Sequence, residues 1–226
     1  MAFAPSCHEE YEDLPKNLWR ACCKIINAMG NNRAIELPDI EYVFLDRDGV
    51  LNRQPPDGRF VTCPEELELL PGVEDAVAAL NRSGRKVIVV TNQRGIALGL
   101  YSHHDLARMH AKLRERLAAR GAHLDGIYVC PHDEGQCNCR KPLTGLFEQA
   151  FRDFSAARPE NSLMAGDSLS DIEAGLHLGM RTVFIAGDVE TGSAETDRAR
   201  TLAQLSVVSL PELVRVYLCL GNGLLC

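Results

Sequence analysis

From residue 41 onward, short apolar runs alternate with segments of helical pattern, and this alternation limits the possible fold more than any other feature. The runs are rich in β-branched residues, which is typical of buried strands. Strand, helix, strand, helix predicts an α/β fold with a doubly wound, Rossmann-like parallel sheet. The predicted strands are Tyr42–Leu45, Val87–Val90, Ile127–Val129, Leu163–Ala165 and Thr182–Ile185, and the predicted helices are residues 72–83, 103–120, 144–157 and 171–178.

The 226 residues suffice for one sizeable core but are few for two full domains. We predict an N-terminal extension at residues 1–40, one α/β domain at 41–214 and a C-terminal tail at 215–226. The formal net charge of −7 argues against a nucleic-acid binder. Neither a membrane span nor a signal peptide is visible in the sequence, so no membrane partner and a cytoplasmic location are expected.

Acidic residues follow two of the predicted strands. Asp46 and Asp48 follow the first strand and precede Gly49, and Asp167 follows the fourth. Because the carboxyl ends of parallel strands meet at one edge of a sheet, these side chains should lie together. Converging carboxylates predict a magnesium site, and a carboxylate can also attack phosphorus while a second one moves a proton. Taken alone, Asp46–Gly49 is explained equally well as a polar turn.

Two further groups suit a phosphate. Thr91–Gln93 follows the second strand with three hydrogen-bonding side chains, although strand-end capping alone also explains it. Lys141 precedes a predicted helix, where a fixed cation could neutralise phosphoryl charge.

Other polar residues have ordinary structural explanations. Ser170 is interpreted as a helix N-cap and Asp171 as a first-turn acid with no further role. His110 lies on an apolar helix stripe, which is more typical of a buried histidine than of a ligand.

One short segment carries a metal-ligand pattern with the spacing C-x-H-x4-C-x-C, formed by Cys130, His132, Cys137 and Cys139. Three thiolates and one imidazole are a typical tetrahedral, structural zinc set. A disulfide or three unused thiols are the alternatives, and the absence of a signal sequence favours reduced thiols. The pattern predicts a zinc-binding loop that holds Arg140 and Lys141 in place.

The candidate site residues occur at successive strand ends, in the order Asp46, Asp48, Thr91, Lys141 and Asp167. With this order, residues 41–187 resemble the haloacid-dehalogenase-like phosphohydrolase superfamily. The resemblance implies that Asp46 is the nucleophile and Asp48 the general acid and base. It implies that Thr91 and Lys141 stabilise the phosphoryl group. Magnesium would be held by the side chains of Asp46 and Asp167 and the carbonyl of Asp48. The implied reaction is phosphomonoester hydrolysis through an aspartyl-phosphate.

The spacing leaves no room for a large cap domain, since 45 residues separate Asp46 from Thr91 and 50 separate Thr91 from Lys141. The chain resembles the capless, zinc-loop branch of the superfamily. Thr91–Gly99 is most similar to members that remove the 7-phosphate of D-glycero-D-manno-heptose 1,7-bisphosphate. The alternatives are histidinol phosphate or another small sugar phosphate. A catalytically silent binding protein of the same fold is the alternative from a different class.

The resemblance also implies a small phosphorylated metabolite as partner, a sugar bisphosphate, and we expect a monomer. Arg94 and Ser168 depart from the family pattern, where a small residue and a lysine are common. We hypothesise that Arg94 supplies charge for a second phosphate. The implied substrate contacts, besides Thr91 and Lys141, are Asn52, Asp57, Gly58, Arg59, Phe60, Asn92, Gln93, Arg94 and Arg140.

Overall fold

The computed structural model describes residues 40–55, 59–187 and 193–221. Residues 38–214 belong to one compact unit, of which 40–55, 59–187 and 193–214 are described. The described residues 215–221 belong to the last helix and are assigned to a second unit. The predicted extension at 1–40 lies almost wholly outside the described residues, so the predicted domain boundaries stay predictions.

Six parallel strands form the sheet, in the order β3-β2-β1-β4-β5-β6 once they are numbered along the chain. The winding direction reverses between β1 and β4, and such reversal points are where α/β sheets open a crevice for ligands. The strands are β1 Tyr42–Leu45, β2 Lys86–Asn92, β3 Gly126–Cys130, β4 Ser162–Gly166, β5 Arg181–Ile185 and β6 Leu205–Val207.

Six α-helices and two short 3-10 helices connect the strands within the described residues. The 3-10 helices are Pro64–Glu66 and Pro159–Asn161. No helix there is long and apolar enough to cross a bilayer. The α-helices are α1 Val73–Arg82, α2 His103–Ala118, α3 Gly145–Asp153, α4 Leu169–Leu178, α5 Ala194–Leu202 and α6 Leu210–Gly221.

The predicted doubly wound α/β fold without a large cap domain is confirmed. The sequence reasoning missed β6, because a three-residue edge strand is too short to show a pattern. It also misplaced the start of α4. Ser168, not Ser170, is the N-cap: its hydroxyl accepts a hydrogen bond from the Asp171 amide, and the Asp171 carboxylate accepts one from the Ser168 amide at 3.1 Å. This reciprocal capping box starts the helix two residues earlier than predicted.

The core surrounds the central strands and fixes where they end. Phe44 of β1 is fully buried and packs against Phe147 and Phe151, with ring centroids 5.5 and 5.6 Å apart. Leu45 is in register with both Val89 of β2 and Ala165 of β4. Because the strands are parallel, the residues that follow them emerge at one edge of the sheet, on a rigid base.

Candidate active site

Three carboxylates converge beyond the carboxyl ends of β1 and β4. Asp46 follows β1, Asp167 follows β4, and Asp171 lies in the first turn of α4. One oxygen of each lies within 4.8 Å of the others, and we call these three residues the carboxylate site. Gly49 has φ of 81°, and a Cβ there would overlap the Asp167 carboxylate. The site therefore requires glycine at position 49 for both backbone conformation and space.

A buried lysine lies against the carboxylate site. The Lys141 ammonium donates hydrogen bonds to Asp46 Oδ1 and to the Val90 carbonyl, both at 2.7 Å, and forms an ion pair with Asp171. Asn92 holds the lysine backbone: the Lys141 amide donates to Asn92 Oδ1 at 3.0 Å, and Asn92 Nδ2 donates to the Lys141 carbonyl at 3.2 Å. Residues of β2 thus fix both the backbone of Lys141 and its ammonium group.

Three carboxylates and one ammonium leave an excess of negative charge in a buried place. Burial raises the pKa of Asp46 to about 7, with Asp171 and Asp48 adding to the shift and Lys141 opposing it. Burial, Asp46 and Asp171 also raise the pKa of Asp167. A divalent cation would offset this repulsion, and carboxylate oxygens are the ligands that magnesium prefers. The donor set therefore fits a magnesium ion.

Asp48 points into a cage of protein donors. Arg47 Nη2 donates to both carboxylate oxygens at 2.9 Å, Asn52 Nδ2 to Oδ1 at 2.9 Å and Gln93 Nε2 to Oδ2 at 2.9 Å. Burial opposes ionisation, but Arg47 and these hydrogen bonds outweigh it and lower the pKa of Asp48. Asp48 is therefore held ionised and oriented.

The cage rests on buried residues. Arg47 is 1% exposed, and its Nη1 lies 3.4 Å from His110 Nε2. Burial, together with Arg47 and Arg114, lowers the pKa of His110 to about 3, which keeps the imidazole neutral. The interpretation of His110 as a buried helix residue is confirmed, since it is 8% exposed.

The cysteine–histidine cluster, which we call the sulfur site, is the second group of converging side chains. Cys137 Sγ lies 3.5 Å from Cys130 Sγ and 3.3 Å from Cys139 Sγ. His132 Nδ1 lies 3.7 Å from Cys130 Sγ and 3.4 Å from Cys139 Sγ. Ligands around a tetrahedral zinc lie about 3.6 to 3.8 Å apart, whereas a disulfide needs about 2.05 Å. The four atoms fit a zinc ion, and the described cysteines are free thiols.

Beside Lys141 is an open cavity of about 290 Å³, whose lining includes Asn92, Arg140, Lys141 and Ser170. Within the described part of the chain, Arg140 Nη1 is buried without a hydrogen-bond partner. Arg94 Nε lies 2.6 Å from the Asp133 carboxylate of the loop that carries the sulfur site. The guanidinium groups of Arg140 and Arg94 therefore lie on or beside the loop that carries the sulfur site.

The structure brings together most of the predicted site residues and corrects one interpretation. Asp171 is not merely a first-turn acid, because it is fully buried and pairs with Lys141. Its spacing of four residues from Asp167 was the available signal. Arg59 is exposed and Phe60 is half-buried, while Asp57 and Gly58 lie outside the described residues. The sequence reasoning did not find Arg47 or Tyr101, whose contacts depend on the tertiary fold.

The fold and the carboxylate site define the class, which is a phosphatase built on a doubly wound parallel sheet. The HAD-hydrolase-like family model matches residues 138–212. A relative from Vibrio cholerae, named D-glycero-β-D-manno-heptose-1,7-bisphosphate 7-phosphatase, is 36% identical over 176 residues, covering 74% of this chain and 91% of the relative. A Mycobacterium bovis relative, named as the phosphatase of the α anomer, is 43% identical over 132 residues, covering 58% of this chain and 69% of the relative.

A solved structure agrees with these relatives. The D,D-heptose 1,7-bisphosphate phosphatase from B. bronchiseptica, complexed with magnesium and phosphate, superposes with a TM-score of 0.69 at 30% identity, covering 79% of this chain and 98% of that one. The chain belongs to the haloacid-dehalogenase-like phosphatase family.

Proposed function

We propose that this protein removes the 7-phosphate of D-glycero-D-manno-heptose 1,7-bisphosphate through an aspartyl-phosphate on Asp46. The observation that carries the proposal is the placement of Lys141 Nζ 2.7 Å from Asp46 Oδ1, inside a carboxylate site at the switch point of the sheet. The names of relatives that align over nine-tenths of their length support the choice of substrate.

In the first step, an Asp46 oxygen attacks phosphorus, and the bond between phosphorus and the sugar oxygen breaks. Asp48 donates a proton to that leaving oxygen. The negative charge of the bound phosphoryl group favours the protonated form of Asp48, opposing the Arg47 side chain that lowers its pKa in the free protein. The products of this step are the sugar with a free hydroxyl in place of the phosphate, ionised Asp48 and phospho-Asp46.

In the second step, water attacks the phosphorus of phospho-Asp46 and releases inorganic phosphate. The Asp48 carboxylate takes the proton from that water, and the donors around it keep it oriented for this task. Asp46 is thereby regenerated, and Asp48 again carries the proton that it donated in the first step. Once phosphate has left, Arg47 again favours the ionised form of Asp48.

The charge of the transferred phosphoryl group is stabilised by Lys141 and the Thr91 hydroxyl. Asp171 supports this by forming a second ion pair with the ammonium group beside that of Asp46. Magnesium, held by the side chains of Asp46 and Asp167 and the Asp48 carbonyl, supplies further positive charge when bound.

The second phosphate of the substrate needs its own cations. Arg140 carries a buried, unpartnered N–H within the described residues and lines the cavity beside Lys141, which supports a role in binding that phosphate. Arg94 lies against the same loop through Asp133 and supplies the second positive charge. Zinc at the sulfur site closes the loop that carries Arg140. The other proposed substrate contacts are Asn52, Asp57, Gly58, Arg59, Phe60 and Asn92, whereas both polar atoms of the Gln93 side chain have protein partners.

A phosphate-release panel tests the proposal. It compares the α and β anomers of the heptose bisphosphate, the heptose 1- and 7-monophosphates, histidinol phosphate and simple sugar phosphates, each with and without magnesium. We expect the largest kcat/KM with one bisphosphate anomer, and ³¹P NMR should show heptose 1-phosphate as the product. Faster hydrolysis of histidinol phosphate would contradict the choice of substrate. No release from any substrate would point to a binding protein.

A further inference from the structure

The side chain of Gln93 is engaged entirely with protein groups. It is 2% exposed, and its Nε2 lies 2.9 Å from Asp48 Oδ2 and 2.8 Å from Thr91 Oγ1. Its Oε1 lies 2.6 Å from the Tyr101 hydroxyl. One amide therefore joins the two groups that the proposed mechanism uses for proton transfer and phosphoryl binding, and a tyrosine lies behind it.

The chemistry of these groups sets the direction of every hydrogen bond. Arg47 and Asn52 also donate to the Asp48 carboxylate, which is an acceptor for all of its neighbours, so the amide nitrogen of Gln93 faces it. The amide oxygen then faces Tyr101, whose hydroxyl must donate. The second N–H of Gln93 goes to Thr91 Oγ1, so the Thr91 hydroxyl accepts from Gln93 and its own proton is directed elsewhere. The chain of bonds runs from Tyr101 through Gln93 to Thr91, and polarises in that direction.

The fold holds Tyr101 in this place by two features. A Cβ on residue 95 would overlap the Tyr101 ring, so Gly95 is what lets the ring approach. The Leu100 amide donates to the Gly95 carbonyl at 2.9 Å, and the Ser102 capping box then starts α2 directly after the tyrosine. Tyr101 is 7% exposed, and burial raises its pKa to about 12, so the hydroxyl keeps its proton.

We propose that Gln93 and Tyr101 are positioning residues, which direct the Thr91 hydroxyl proton toward the phosphoryl group and hold the Asp48 carboxylate for proton transfer. The inference rests on the proposed function, because it assigns the phosphoryl group as the acceptor of the Thr91 proton. It differs from the expected substrate contact of Gln93, since the amide would act through Thr91 and Asp48.

Tyr101→Phe tests the proposal, because it removes one donor and keeps the ring. Without that donor the buried Gln93 amide can turn, and both of its outgoing hydrogen bonds are lost together. A misplaced reacting group costs up to about 100-fold in rate, so we expect the single-turnover rate of phosphoryl transfer to fall about 10-fold or more. KM should stay within about twofold, since uniform substrate binding is unaffected.

Tyr128→Phe is the matched control. The Tyr128 hydroxyl also donates to a side chain, Asp153 Oδ2 at 2.8 Å, but on the strand β3 side of the sheet away from the carboxylate site. We expect wild-type kinetics for this variant. An equal loss of rate in both variants, or a rise in KM without a fall in rate for Tyr101→Phe, would overturn the proposal.

Gln93→Met provides a second measurement, because it conserves side-chain length and removes the whole relay. Adding Tyr101→Phe to Gln93→Met should cause no further loss of rate if the tyrosine acts only through the amide. Additive losses would contradict the relay. An inactive wild-type protein would contradict the proposed function itself, whereas an active wild type with an unchanged Tyr101→Phe variant would contradict only this inference.

Discussion

The carboxylate site and the sulfur site are built in opposite ways. The carboxylate site and its lysine combine Asp46 after β1, Lys141 between β3 and α3, Asp167 after β4 and Asp171 in α4. They meet because the parallel strands of one sheet end at the same edge. The sulfur site comes from ten consecutive residues at the end of β3. The fold assembles the first site, whereas in the second site a bound metal would assemble the loop.

The two sites also differ in the role of their charged groups. Burial and the neighbouring acids raise the pKa values of Asp46 and Asp167. Such a site costs stability until a cation balances its negative charge, which is common where function determines the residues. The sulfur site has the ligand number of a closed structural site. Substitutions in the first site should therefore change chemistry, and those in the second should change metal content and substrate choice.

The largest expected effect is that of Asp46→Asn. Removal of a nucleophile typically costs more than about 10⁴-fold in kcat, and we expect at least that loss. The same variant should melt at an equal or higher temperature without metal, because one of three crowded acids is gone. Phosphate release and thermal denaturation measure the two effects. Full turnover in Asp46→Asn would contradict a catalytic role for the carboxylate site. The control is Asp75→Asn, which removes an exposed acid on α1.

The next effect is that of Lys141→Ala, which removes the fixed cation. Loss of one preorganised group that stabilises transition-state charge costs about 10²- to 10³-fold in kcat, and we expect a loss in that range. Lys86→Ala is the matched control, since Lys86 pairs with Asp125 at 2.9 Å and is half exposed. Equal kinetics for the two lysine variants would remove Lys141 from the proposed mechanism.

Cys139→Ser should act on the sulfur site alone. We expect zinc content to fall from about one per chain. We also expect kcat/KM for the bisphosphate to fall about 10-fold, which is the lower end of the losses seen when a group that supports a site is removed. Hydrolysis of p-nitrophenyl phosphate, which lacks a second phosphate, should change less. Metal analysis and both kinetic assays measure this, with Cys63→Ser as the control outside the cluster. Unchanged zinc content would exclude Cys139 as a ligand.

The smallest effect concerns the cage behind Asp48. The pKa of His110 is about 3 in the folded protein and about 6.5 when unfolded, so between these values the unfolded chain binds more protons. Folding stability should therefore fall with pH below about 6.5, and this histidine contributes about 2 kcal/mol of loss between pH 7 and 5.

His110→Gln should remove that part of the pH dependence. Urea unfolding at pH 7 and pH 5 measures it, and His104→Gln, an exposed histidine on the same helix, is the control. The same pH dependence in wild type and His110→Gln would show that His110 is not the group responsible.

The sequence predicted what depends on strand ends and local spacing. Asp46, Lys141 and Asp167 could be placed at one edge because each follows or precedes an element that the apolar pattern reveals. The four residues of the sulfur site could be grouped from their types and spacing, and the structure brings their ligand atoms together. Tyr101 could not, since its contact with Gln93 depends on the path of a turn-rich loop around Gly95. Arg47 could not either, because no local pattern shows which neighbour a buried arginine will pair with.

In the proposed mechanism Asp46 carries the phosphoryl group. Rapid acid quench of wild-type protein with ³²P-labelled heptose bisphosphate, followed by peptide mapping, tests this role directly. We predict a transient label on the peptide that contains Asp46, its loss at the rate of phosphate release, and no label in Asp46→Asn. Turnover without labelled protein, or label on another residue, would exclude Asp46 as the nucleophile.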